Sequence, residues 1–199
     1  MDDPQQLARF FDVFFTYVRI LVDIPESDQV LCRENFRPKV LKKNSMIAQS
    51  ATIHEHHNFI VSGHARNFHV DDDGKEITTD INDGPRFFTS FHHFMNRTVS
   101  NESLHCITDC EVLQIKRDDM DRMAEVGITQ VDYSLQILQQ HLEKDKQRII
   151  DLATLSAEER YLKLMQNHPT IIQNVPLKYI ASYLGIKAGS LSRIRQNIG

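Results

Sequence analysis

The sequence predicts an α+β chain: an opening amphipathic helix, a small antiparallel β-roll, one long helix and a C-terminal helix-turn-helix. Three observations carry this. Hydrophobic periodicity is near 3.6 at both ends of the chain and near two through its middle. An unbroken alternation of four- and three-residue apolar spacings occupies Val131–Leu152. The closing stretch, VPLKYIASYLGIKAGSLSRIRQNIG (175–199), holds two short helical patterns hinged at Gly185, a residue free to take the left-handed turn conformation. The expected division is 1–125, 126–153 and 154–199.

Composition places the chain among ordinary globular proteins: 41% of residues are hydrophobic and 25% charged, with only 7 Gly and 6 Pro. The net charge of −4 becomes informative once split. From Ala153 onward six basic residues (Arg160, Lys163, Lys178, Lys187, Arg193, Arg195) stand against Glu158 and Glu159, so this end carries +4 and the remainder −8. A basic end on an acidic body points to a nucleic-acid partner for that end. Cys32, Cys106 and Cys110 form no disulfide framework and no CxxC pair. The opening MDDPQQLARFF lacks a signal-peptide layout, and no apolar run approaches the roughly 20 residues of a membrane helix. A reduced, cytoplasmic setting without membrane contact is expected.

Taken in order, Leu7, Phe10, Phe11, Phe14, Val18 and Leu21 share one helical stripe, so aromatic that it reads as a docking face rather than a cofactor box. Pro25 ends this section, and Ser27 is placed to cap a short helix toward Cys32. From Phe36 to Ile115, runs rich in Val, Ile, Phe and Thr alternate with turn signals at Gly63, Asp71–Gly74 and Asn82–Pro85. Phe59–Val61, His64–Val70 and Lys75–Ile81 read as strands, the last two joined by a hairpin turn at Asp73–Gly74. Glu111–Ile115 adds a closing strand, and Arg117–Ala124 a short helix. Strands at this spacing predict a barrel or roll.

Val131, Leu135, Leu138, Leu142, Asp145, Ile149 and Leu152 form the a/d seam of a coiled coil over about three heptads. A homodimer helix is the expectation; burial of the same stripe within one chain is the alternative. Asp145, the polar seam position, would fix register at some cost in stability. Ser156-Ala-Glu-Glu159 is a capping box for a helix carrying Tyr161, Leu162, Leu164 and Met165 and ending near His168–Pro169. Beyond it, Ile180, Ala181 and Leu184 face Ile186, Leu191 and Ile194 across Gly185. Lys187, Ser190, Ser192, Arg193, Arg195 and Gln196 are of the types that meet phosphates and base edges.

Four phrases in order, FRPKVLKKNSMI (36–47), FIVSGHARNFHVDDDGKEIT (59–78), CEVLQIKRDDM (110–120) and ERYLKLMQNHP…VPLKYIASYLGI…LSRIR (159–195), resemble the Crp/Fnr (catabolite-activator) family of bacterial transcription regulators. The likeness covers nearly the whole chain, and the last phrase resembles the Bacteroidetes-type members. It implies a cyclic-nucleotide-binding-type β-roll, jelly-roll-like, followed by a dimerisation helix and a winged-helix-like helix-turn-helix domain. It also implies double-stranded DNA, a second copy of the chain, a small-molecule effector and RNA polymerase as partners. Matched to family positions, Arg193 is a base-reading arginine, and Lys187, Ser190, Ser192 and Arg195 are phosphate contacts. Ala188 and Gly189 stand where an Arg-Glu pair often reads bases. The chain ends at Gly199, with no room for the β-wing of some relatives.

In family members that bind cyclic AMP, a Gly-Glu pair follows the roll's glycine turn and an Arg-Ser pair comes ten residues later. Here the segment is FFTSFHHFMNRTVSNESLHC (87–106). After Phe88, Thr89 and Ser90 replace Gly-Glu, while Ser100 and Asn101 replace the Arg that neutralises the phosphate and its Ser. Asp145 and Lys146 stand where the long helix would offer Thr-Ser to the base. A phosphate without its cation loses a charge-assisted interaction, and Arg97 and Lys146, the nearby cations, are off the family position. Cyclic AMP binding in the family manner is therefore not expected, although these residues still outline the effector pocket.

His54, His56, His57, His92 and His93 are dense enough to raise a metal or haem question. Adjacent histidines in an extended segment point to opposite faces, and no Cys or carboxylate completes a ligand spacing. A surface loop without metal is the expectation. Three cysteines do not fit an iron–sulfur sensor, and no nucleophile–base motif emerges, so no enzyme is expected. The reading is a DNA-binding regulator whose roll senses an effector. The alternative is a ligand-sensing or protein-interaction module with weakened DNA binding.

Overall fold

The computed structural model describes residues 4–198. The chain opens with α1 (Pro4–Leu21) and α2 (Glu26–Asn35). Ten strands follow: β1 (Arg37–Leu41), β2 (Met46–Ala48), β3 (Thr52–Ile53), β4 (His56–Ser62), β5 (His64–Val70), β6 (Glu76–Asp83), β7 (Arg86–Phe88), β8 (Val99–Ser100), β9 (Ser103–Cys106) and β10 (Cys110–Lys116). Helix α3 (Phe91–Asn96) interrupts them after β7. Then come α4 (Arg117–Val126), the long α5 (Gln130–Thr154), α6 (Ala157–Asn167), α7 (Pro169–Asn174), α8 (Leu177–Tyr183) and α9 (Ala188–Ile198).

Two antiparallel sheets, ordered β1-β10-β4-β7 and β2-β9-β5-β6, form the roll. Strand alternation decides what each face buries. Ile60 and Val112 point inward to meet Ala65, Leu104 and Cys106 between the sheets. Their neighbours Phe59, Val61, Leu113 and Ile115 point outward to the aromatic stripe of α1. Phe14 is the centre of that second core, with Phe36, Phe59 and Phe87 at ring-centroid distances of 4.8, 5.1 and 5.8 Å. Phe10, Phe11, Phe14, Phe15 and Val18 are buried, so the stripe does dock, onto its own roll; Leu7 at its start is 41% exposed. Gly63 makes the β4–β5 turn at φ +97°, and a Cβ there would lie 2.3 Å from the carbonyl oxygen of Asp109.

The structure corrects the sequence reading in two places. Helix α2 is capped by Pro25 and starts at Glu26, and Ser27 makes no cap hydrogen bond but lies inside the first turn. The histidines of 54–57 are not a surface loop: His56 and His57 belong to β4, and His54 and His57 are buried. Helix α6 ends at Asn167, as expected, and Pro169 opens α7 at its first turn, where a missing N–H costs nothing. The capping box at Ser156 is present, its hydroxyl accepting from the Glu159 N–H while the Glu159 carboxylate accepts from the Ser156 N–H. No strand lies beyond α5 among the described residues.

Candidate effector cleft and nucleic-acid interface

Helix α5 meets its own roll with one face only. Tyr133 and Ile137 are each 3% exposed, and the Tyr133 ring stacks on Phe87. About two and three turns beyond Ile137, Lys144 pairs with Asp80 of β6, and Arg148 donates to the carbonyls of Thr79 on β6 and Tyr183 on α8. Asp28 of α2 holds the helix's entry. Its carboxylate accepts from the Ile128 N–H, the Thr129 N–H and the Thr129 hydroxyl at 3.1, 2.7 and 2.8 Å. The seam lies away from this face. Val131, Leu135, Leu142, Ile149 and Leu152 are 44–67% exposed, Asp145 is exposed and Leu138 is half-buried.

Between α3, β6 and α5 opens a cleft of about 590 Å³. Of the residues expected to line it, Phe88, Thr89, Ser90, Asn101 and Asp145 do. Ser100 sits just behind, donating to the Ser90 hydroxyl at 3.1 Å. Thr89 donates to the His56 carbonyl, and the Thr89 carbonyl accepts from Asn67. These buried hydroxyls are therefore spent in tying α3 to the sheets. Lys146 is not in the cleft; it lies in solvent, 4.0 Å from Glu143. Arg97 also turns away, to Asp118 and Asp121 of α4 at 2.7 and 2.8 Å.

The cleft is thus lined by the carboxylates Asp80, Glu102 and Asp145 against the single guanidinium of Arg148. Asp80 is compensated by Lys144 and Arg86 from behind. The Asp145 carboxyl, on an exposed residue but partly desolvated by the cleft, is pushed up by that desolvation and by the nearby Asp80 charge. His141, also lining, is pushed down to about 4 by burial and the Arg86 charge, so it is neutral near pH 7. Asp80, Glu102, His141 and Arg148 escaped the sequence reading. A face of α5 carrying Tyr133, Ile137, Lys144 and Arg148 was available as a signal, masked by the stronger seam.

At the C-terminal end, Gly185 takes φ +72° and the Ile186 N–H closes the turn on the Ala181 carbonyl at 3.0 Å. Ala181 and Leu191 are buried to 1% and 0% exposure, so α8 and α9 cross through small and aliphatic contacts. Lys187, Arg193 and Arg195 are exposed, and Ser190 and Ser192 are half-exposed. Among the described residues no carboxylate pairs with the three cations. Arg193 makes one long in-helix contact, to the Gly189 carbonyl at 3.5 Å.

The domain is docked on the roll's β5–β6 hairpin. Arg66, 2% exposed, is sandwiched between Phe68 and Tyr179 with its guanidinium carbon 4.0 and 3.8 Å from the ring centroids, and it pairs with Glu76. The Thr78 N–H donates to the Ser182 hydroxyl at 2.9 Å, and Asp83 meets His168 and Thr170, each at 3.2 Å.

Comparison with known proteins now bears on this architecture. Residues 38–126 match the cyclic nucleotide-binding domain family. The chain superposes on FixK2 from Bradyrhizobium japonicum with a TM-score of 0.71 at 15% identity, covering 82% of this chain and 84% of that one. The chain has the Crp/Fnr-type fold. A transcriptional regulator assigned to the Crp/Fnr family from Eubacterium rectale matches with a TM-score of 0.66 at 15% identity, over 88% of this chain and 83% of that one. The c-di-GMP-responsive regulator CLP of Xanthomonas campestris matches with a TM-score of 0.67 at 13% identity, over 87% and 91%. No curated protein sequence matches the chain. The matched domain ends at Val126, where α4 gives way to α5, so α5 and the C-terminal helices lie beyond it. Among the described residues no helix is long and apolar enough to cross a membrane. No group of three His, Cys, Asp or Glu among them is placed to hold a metal ion.

Proposed function

We propose that the chain is a cytoplasmic, homodimeric transcription regulator, with a sensor part (1–125), a dimerisation helix (126–153) and a DNA-binding part (154–199). The observation that carries this reading is the geometry of α5, whose roll-facing side is satisfied within the chain while its heptad seam stays exposed. A second copy packed on that seam pairs two helix-turn-helix units about a two-fold axis, as a palindromic site on double-stranded DNA requires. Arg193 reads a base edge, and Lys187, Ser190, Ser192 and Arg195 contact phosphates. Mobility shifts on selected and scrambled duplexes at low and high salt test this. A sequence-dependent difference that survives the loss of electrostatic affinity supports a regulator; equal affinities for both duplexes refute it.

For the cleft, we infer an effector other than cyclic AMP. A cyclic phosphate entering it would face three carboxylates, and its nearest cation, Arg148, is committed to backbone carbonyls. A buried phosphate needs charge-assisted partners. A polar ligand that is neutral or cationic suits the lining better. Calorimetric detection of micromolar cyclic AMP binding would overturn this part of the reading while leaving the DNA-binding part intact.

A further inference from the structure

A second cavity, of about 210 Å³, is walled by the later half of α5, by α6 and by the end of α8. Its charge is opposite in sign to that of the cleft. Lys144 and Arg148 come from α5 and Arg160 and Lys163 from α6, each half-buried, against the single carboxylate of Asp151. Helical spacing produces this lining. Residues 144 and 148 are four apart and residues 160 and 163 three apart, so each pair shares one face of its helix. The turn at Leu155 then sets the two faces against each other.

Two of the four cations are already matched. Lys163 lies 2.7 Å from both Asp151 oxygens, and Lys144 pairs with Asp80 of β6. The two guanidiniums are not. Arg160 donates through Nε to the Leu184 carbonyl at 3.2 Å and through Nη1 to the Leu155 carbonyl, and Arg148 is held by the carbonyls of Thr79 and Tyr183. Carbonyls satisfy N–H groups but carry no net charge, and among the described residues no carboxylate pairs with either arginine. Two positive charges are therefore left in a half-buried wall, where attraction is stronger than in bulk water and less screened by salt. A phosphate monoester carries about −1.5 to −2 at pH 7 on three acceptor oxygens, which matches them. A carboxylate brings half that charge. Size agrees, since a cavity of about 150 Å³ takes benzene, leaving room here for a phosphate and a small esterified group.

We propose that this cavity is a second ligand site, taking a small phosphate monoester, with Arg148 of α5 and Arg160 and Lys163 of α6 as the residues that hold the phosphate. The site depends neither on the ligand of the cleft nor on the DNA-binding reading. Because its cations come from both helices, a bound phosphate ties the long helix to the C-terminal helices.

Calorimetric titration of the full-length protein with glycerol phosphate and with acetate, at constant pH and ionic strength, tests the proposal. Glycerol phosphate should bind with a dissociation constant of about 1 mM or below, and acetate at least about tenfold more weakly. Lys163→Gln should weaken glycerol phosphate about tenfold. Lys146→Gln, an equal loss of charge in solvent outside the cavity, should leave it unchanged. Asp151→Asn removes the one lining carboxylate and frees Lys163, so it should tighten binding, whereas a merely structural Lys163–Asp151 pair predicts weakening in both variants. The two act in opposite directions, so either decides if the other fails to fold. The proposal is overturned if wild-type protein shows no glycerol phosphate binding up to about 20 mM, or if acetate binds equally well. Equal weakening by Lys163→Gln and Lys146→Gln, or weakening by Asp151→Asn, would overturn it too.

Discussion

Replacing Ile149 with glutamate isolates the seam from everything else the long helix does. Ile149 is 67% exposed and lines none of the described cavities, while Glu is a better helix former than Ile, so the isolated chain should fold as before. In a dimer the position becomes buried. Full burial of an Ile side chain is worth about 1.5–3 kcal/mol, and two-thirds of that remains to be gained, roughly 1–2 kcal/mol per copy. Two-fold symmetry doubles the loss to about 2–4 kcal/mol, which weakens dimerisation about 30-fold to several hundred-fold. Desolvating two facing carboxylates adds to it. Sedimentation equilibrium over a concentration series reads the constant directly, with Gln136→Glu, an exposed position one residue off the seam, as the charge-matched control. A dimerisation constant for Ile149→Glu equal to that of the control would refute the seam as the dimer contact.

Three further outcomes are expected. Arg193→Ala should relax sequence preference by about 1–3 kcal/mol at one base pair per half-site, read as a flattened position in a binding-site selection; an unchanged profile would remove Arg193 from the reading set. Gly63→Ala should destabilise by about 2–4 kcal/mol in thermal unfolding, since the new Cβ would meet the Asp109 carbonyl oxygen at 2.3 Å on a positive-φ backbone. The Asp28 carboxyl is raised by burial, but the hydrogen bonds from Thr129 and Ile128 outweigh this and hold it below the usual range. Its stabilisation is present above the unfolded value of about 3.9 and is lost as pH falls through the folded value. Asp28→Asn should therefore cost about 1–3 kcal/mol at pH 7 and much less near pH 2, and a cost independent of pH would exclude the ionised carboxylate as its source.

What was legible in the sequence is what short-range periodicity and turn chemistry encode. Gly185, Ala181 and Leu191 announce the helix-turn-helix because a tight hinge needs a residue free of Cβ strain and a close crossing needs a small one. Ser156 and Glu159 announce a helix start because their two hydrogen bonds are three residues apart. The alternation of Phe59 and Ile60 announces a strand with two buried faces. The effector cleft was legible only in part. Thr89, Ser90, Asn101 and Glu102 fall in one segment, but Asp80 and His141 arrive from separate elements, and nothing local marks them. Asp28 illustrates the limit. It caps α5 across about a hundred residues, and in sequence it is one more acid in a short helix. Arg97 illustrates the opposite error, since its nearness in sequence says nothing about the α4 carboxylates that claim it.

The joint between the roll and the C-terminal helices is of a different physical kind from the cores on either side. Within the C-terminal part, Leu164, Ile171, Ile180, Leu184 and Leu191 exclude water together. Across the joint, Ile81 and Ile107 of the roll extend that cluster, but most named contacts are polar: Arg148 on two backbones, Ser182 on Thr78, His168 on Asp83, and Arg66 between two rings. Each such hydrogen bond is exchanged for one with water at a net cost of about 0.5–1.5 kcal/mol, whereas opening either core exposes apolar area at about 25 cal/mol per Å². The joint therefore yields before either part unfolds, which is the behaviour expected of polar interfaces between units of one chain. Arg148 is the side chain that connects the cleft to this joint. It lines the cleft, rises from α5, and holds the carbonyls of β6 and α8. Losing Arg148 therefore touches the cleft, α5 and α8 through one guanidinium. No longer chain of contacts is needed to connect them.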